Sequence, residues 1–198
     1  MYPFAVDPTK LPEHLNDAQL EYFILFSILV AGKSAKQTYK KLNNFIERNL
    51  LNGAIEVDYV ITPTPFEIIR RLHLMGELGA ELETEKFGQY KRIRTAFEKV
   101  IELDIQDLSV EKLEAIPGIG PKTARFIMLY SDPSFNGVPL DTHILKFLAA
   151  IYNDVPKSTP PAGRLYERLE YYFQFEARAQ NKTVRQLDTE VWQHYNKG

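Results

Sequence analysis

The chain contains no cysteine. That single absence removes disulfides, thiolate zinc centres and cysteine-ligated iron-sulfur clusters together. Histidine is scarce as well, four residues scattered rather than set at ligand spacing, so neither a catalytic metal nor an organic cofactor is expected. Long apolar runs are also lacking. The longest, residues 22–31, falls far short of the roughly 20 residues that span a bilayer and reads as a buried helix. Positive charge is not in excess: the formal net charge is -2, so no global field draws the protein to a polyanion, and any DNA affinity must come from a local basic face and oriented backbone amides. Near the start, Asp7 and Pro8 stand where a signal peptide would carry basic residues and a small-residue cleavage site. These features lead to the expectation of a cytoplasmic, nucleoid-associated protein with no membrane partner.

What is present fits a globular domain. A length of 198 residues suits one compact unit or two lobes, and 44% hydrophobic with 25% charged residues excludes a disordered or fibrous chain. No strand-like alternation, internal repeat or low-complexity tract is visible, so the expected fold class is all-α. Asn16 or Asp17 caps a helix reaching residue 31. Ser34 caps a second helix that buries Tyr39, Leu42, Phe45 and Ile46 and turns Lys36, Lys40, Lys41 and Arg48 outward. Residues 66–78 and 86–102 read as a third and a fourth helix, the latter carrying a basic cluster of Lys91, Arg92 and Arg94, either a solvated face or charges that track a DNA backbone. Ser109 opens a short helix ending at Ile116, residues 117–120 form a tight turn, and a helix follows over 121–130. Residues 131–139 form a loop, Asp141 caps a helix to residue 152, and two helices close the chain over 163–180 and 183–195. The aromatic group Tyr171, Tyr172, Phe173 and Phe175 invites a base-stacking reading, but clustered aromatics on a helix are more often core, and the core is expected.

Chemistry concentrates in two stretches. In Ile116-Pro117-Gly118-Ile119-Gly120-Pro121-Lys122-Thr123-Ala124, two glycines flank one apolar residue. The glycines are expected to give the turn backbone angles closed to other residues, with Ile116 and Ile119 anchoring it from below. The helix that follows at once leaves free amides at its positive end, a setting able to hold a DNA phosphate without side-chain charge. Alone, the turn also fits a hairpin closed by glycines for packing. Downstream, Val138-Pro139-Leu140-Asp141-Thr142-His143 places a carboxylate at a helix start. Lys122 alone fits a phosphate contact and Asp141 alone a plain cap.

Together the two stretches resemble the helix-hairpin-helix DNA glycosylase superfamily, which includes endonuclease III and the 8-oxoguanine DNA glycosylases, and the resemblance extends over most of the chain. Residues 116–124 are similar to the family's Leu-Pro-Gly-Val-Gly-x-Lys pattern, and residues 140–143 to its Val-Asp-Thr-His stretch. The resemblance implies two helical lobes with the active site in a cleft between them: a central lobe over 31–135, and a second built from 1–30 with 136–198. It implies Lys122 as the Schiff-base nucleophile and Asp141 as its carboxylate partner, the pairing of the branch that both removes a base and cuts the strand. Such a lysine attacks C1′ of the damaged nucleotide only when unprotonated. The carboxylate stabilises the charge that develops on the sugar.

The remaining implied roles follow from the same resemblance. Gly118, Ile119, Gly120 and Thr123 would hold the DNA backbone, and Lys33 and Ser34 would lie in the strand-inserting loop; that loop also reads as a simple break between helices. Trp192 and the terminal carboxylate of Gly198 would help form the base pocket, or simply pack. His143 is expected to position its helix rather than to act as a base. The carbonyls of Glu114, Ile116 and Ile119 could hold a monovalent cation. The expected partner is double-stranded DNA carrying a damaged base, bound by a monomer, with 8-oxoguanine favoured over oxidised pyrimidines. Two rivals stand: a non-catalytic binding module that grips the DNA backbone through the hairpin, and an α-helical interaction protein with no DNA affinity.

Overall fold

A computed structural model describes residues 2–8, 10–51 and 62–195. The described residues form ten helices and no strand, as the all-α expectation requires. None of these helices is long and apolar enough to cross a membrane. Contacts divide the chain into two compact units, Met1–Ile119 and Gly120–Gly198.

The first unit is organised around α1 (Asp17–Leu29). Asn16 caps it through a reciprocal pair with Gln19, each side chain bonding the other residue's amide. Most of its residues are buried, Tyr22 to Leu29 on every face, because α2 (Ala35–Leu51), α3 (Pro65–Leu74) and α5 (Tyr90–Val100) all pack against it. This differs from the expected division, which grouped residues 1–30 with 136–198. An all-round apolar helix needs neighbours on every side, and α1 finds them in the elements that follow it.

Two long helices expected from periodicity are each interrupted. The run 66–78 ends at Leu74, because Gly76 turns the chain at φ 74, and α4 (Leu78–Thr84) starts separately. The run 86–102 begins only at Tyr90, since Lys86, Gly88 and Gln89 take φ values of 54, 69 and 48. Arg48, expected on a solvated basic face, instead clamps α4: its guanidinium lies 2.8 Å from Glu81 and 2.6 Å from Glu85. The unit closes with α6 (Val110–Glu114), capped by Ser109.

The second unit comprises α7 (Pro121–Ser131), α8 (Thr142–Ala149), α9 (Arg164–Ala179) and α10 (Val184–Tyr195). α8 packs against both α9 and α10. The loop leading into α8 is pinned by Tyr166, whose hydroxyl donates to the Val138 carbonyl at 2.8 Å and accepts from the Leu140 amide at 3.2 Å. Thr159 adds a bond to the Leu140 carbonyl at 2.7 Å. The Glu170 carboxylate takes the Val138 amide at 2.8 Å and pairs with Arg125 at 2.7 Å. Asp141 is thereby presented from a fixed loop. On α9, Phe173 is buried as expected, but Tyr171 and Phe175 are 57% and 51% exposed. Four aromatics within five positions cannot all face one stripe of a helix turning about 100° per residue.

Candidate active site

The turn between α6 and α7 is built by its buried isoleucines. Ile116 and Ile119 sit in the core, and the Ile119 amide donates to the Ile116 carbonyl at 3.0 Å. The two glycines have different reasons. Gly118 adopts φ 101, where a side chain is strained, and a Cβ there would lie 2.8 Å from Cγ of Arg92. Gly120 takes φ -97 and ψ 177, open to any residue, with nothing within 4 Å of an added Cβ. The expectation that both glycines supply special backbone angles is therefore corrected. Gly120 leaves its backbone bare at the start of α7, with no side-chain cap on that helix.

Arg92 is the residue of the basic cluster that matters to this turn. Its guanidinium donates to the Gly118 carbonyl at 2.9 Å, to the Ile28 carbonyl at 3.0 Å and to the Gln89 side chain at 2.7 Å. Burial lowers its pKa from the ordinary value. It ties the turn to the end of α1, while Arg94 is taken up by Glu98 at 2.7 Å and Lys91 is exposed. In the loop after α1, the Lys33 amine donates to the Phe87 carbonyl at 2.7 Å, and burial together with Arg92 and Lys41 lowers its pKa. Ser34 is exposed, 3.5 Å from the Gln37 amide as a cap of α2. Thr123 is buried in the first turn of α7, so a phosphate at the start of that helix would first meet backbone amides.

Lys122 occupies the second position of α7. The residue as a whole is half-buried, its amine lies 4.9 Å from the centre of the Phe126 ring, and desolvation lowers its pKa. Asp141 and Asp188 both act on its charge in the opposite sense. Asp141 caps α8: its Oδ1 accepts the amides of His143 and Ile144, each at 2.8 Å, which fixes the carboxylate at the positive end of that helix. His143 stacks on Tyr195 with ring centres 6.1 Å apart, and its Nδ1 is buried with no hydrogen-bond partner among the described residues.

Asp188 was missed from sequence. It is buried on α10 and accepts a hydrogen bond from the Tyr130 hydroxyl at 3.3 Å. Burial, and then the neighbouring Asp141, push its carboxyl up to about 7, against the pull of Tyr130 and Lys122. The signal was available: Val184, Leu187, Asp188 and Val191 share the buried stripe of α10, and a carboxylate on an apolar stripe calls for an explanation. Trp192 is half-buried one turn beyond Asp188. Gly198 lies outside the described residues. A cavity of about 370 Å³ elsewhere on this unit is lined by Phe147, Leu187, Val191 and Tyr195 among others. None of Lys122, Asp141, Asp188 or Trp192 lines it.

In comparisons with known proteins, no family model and no curated protein matches this chain. Function must therefore be argued from the site. The arrangement offers an amine whose pKa is lowered by desolvation, which favours its nucleophilic neutral form, a helix-capping carboxylate able to stabilise positive charge, and a buried carboxyl that holds its proton up to about pH 7.

Proposed function

We propose that the chain is a bifunctional DNA glycosylase and abasic-site lyase. It acts as a monomer on double-stranded nucleoid DNA carrying an oxidised base, with 8-oxoguanine preferred over oxidised pyrimidines. The observation that carries this reading is the environment of Lys122. A lysine whose pKa is lowered by desolvation, within electrostatic reach of Asp141 and Asp188, is not what gripping a phosphate backbone requires.

The reaction begins with the target nucleotide rotated out of the duplex. The neutral Lys122 amine attacks C1′, the bond from C1′ to the base breaks, and its electron pair leaves with the base, which takes up a proton. Asp141 stabilises the positive charge that builds on the sugar. Asp188, still protonated near neutrality, is placed to supply a proton. Loss of a proton from the attached nitrogen then lets the C1′–O4′ bond break, O4′ takes the electron pair and a proton, and the opened sugar is left as a Schiff base between Lys122 and C1′. Removal of a C2′ proton then expels the 3′ phosphate and cuts the strand. The Phe126 and Trp192 rings favour a flipped bicyclic base, because flat faces stack on flat faces. The bare backbone at Gly120 and the start of α7 supply the phosphate contact.

The test separates base release from strand scission. Duplexes holding 8-oxoguanine, thymine glycol or only normal bases are incubated with wild type and Lys122→Gln, then resolved with and without alkali. The proposal expects release and scission by wild type, strongest on 8-oxoguanine, with both lost in the variant. Release without scission by wild type would leave a base-removal enzyme. No release, with duplex binding intact in both proteins, would leave the non-catalytic binding module.

A further inference from the structure

The outer face of α9 has no role in the chemistry above. Arg164, Arg168, Tyr171, Phe175 and Arg178 recur at intervals of three and four residues and are all exposed, so they form one stripe about 21 Å long. No carboxylate among the described residues pairs with any of the three arginines. The Arg178 guanidinium bonds only the Gln174 carbonyl of its own helix, at 3.2 Å. The Tyr171 and Phe175 rings, 57% and 51% exposed, engage no other ring among the described residues. On this helix Glu170 is taken by Arg125 and Glu176 by the Tyr152 hydroxyl, which leaves Glu167 as the one exposed carboxylate of α9 beside three exposed arginines.

Unpaired cations interleaved with uncovered aromatic faces suit a polyanion that also offers flat faces. We infer that the outer face of α9 binds single-stranded nucleic acid, with Tyr171 and Phe175 as stacking platforms for two bases and the three arginines on the phosphates. The spacing favours a single strand over a duplex. The two rings stand one helical turn apart, about 5 to 6 Å, whereas bases in a duplex are stacked at about 3.4 Å and keep their faces covered. A purely acidic partner would leave the rings unused, and a second copy of this chain would bring the same arginines face to face.

This surface does not depend on the proposed lyase, and its test is separate. Binding of a fluorescent oligothymidylate and of inorganic polyphosphate is measured by anisotropy for wild type, Tyr171→Ala/Phe175→Ala and Arg164→Gln/Arg168→Gln/Arg178→Gln. All five positions are exposed, and unchanged circular dichroism and thermal midpoint verify the fold. The double variant should bind oligothymidylate at least 10-fold more weakly while binding polyphosphate as wild type does. The triple variant should weaken both ligands and reduce the salt slope by about 2. Oligothymidylate binding unaffected by the double variant, equal losses for both ligands, or self-association of wild type abolished by the same substitutions would each overturn the inference. Loss of Schiff-base trapping by Lys122→Gln, or its absence in wild type, bears on the lyase alone.

Discussion

Asp188→Asn should reverse a pH dependence built into the second unit. In the folded protein the Asp188 carboxyl is raised from 3.8 to about 7 by burial and by Asp141. Between those values the native state holds a proton that the unfolded chain has released. Stability is therefore complete at the acid end and falls as pH rises, by up to about 4 kcal/mol once pH exceeds the native value. Asparagine keeps the shape, can still accept the Tyr130 hydroxyl, and does not titrate. Urea unfolding at about pH 4, 6 and 8 gives the comparison, and carboxylates remote from Asp188 contribute equally to both proteins, so they cancel in the difference. The variant should gain on wild type steadily across this range. Parallel profiles, or a wild type that gains on the variant as pH rises, would show that Asp188 is charged and held by Lys122, and the argument from burial would fail.

The two glycines of the turn should separate folding from binding. Gly118→Ala meets φ 101 and the Arg92 side chain and should lower unfolding free energy by about 1–3 kcal/mol; Gly120→Ala, at φ -97 in open space, should stay within about 0.5 kcal/mol yet weaken duplex binding in a gel-shift titration. Arg92→Met leaves the Gly118 and Ile28 carbonyls without their donor and should reduce stability by about 1–3 kcal/mol in urea titrations, with partial recovery in Arg92→Lys. Asp141→Asn removes a charge that raises the Lys122 pKa, so the acidic limb of the lyase profile should move to lower pH while the maximal rate falls; a move to higher pH would contradict the coupling.

Legibility in the sequence followed the range of the forces involved. The caps Asn16, Ser109 and Asp141 were readable because each acts on amides two or three residues away. Periodicity located the apolar faces but not the breaks: Lys86 and Gln89 take left-handed angles although neither residue type announces them. Lys122 and Asp141 were singled out by the resemblance of their two stretches to a known family, since the turn and the cap alone also fit a phosphate contact and a plain cap. The Arg92 target was not legible, since its acceptors, Gly118 and Ile28, lie 26 and 64 positions away. Asp188 was passed over because a raised carboxyl is a property of what surrounds it. The exposure of Tyr171 and Phe175 needed the register of α9 rather than its composition.

Borohydride trapping on an abasic duplex, followed by peptide mapping of the adduct, addresses the central claim. The account predicts one covalent adduct in wild type, on the peptide carrying Lys122, and none in Lys122→Gln at unchanged thermal midpoint. An adduct mapping to another lysine, or surviving in the variant, would contradict it.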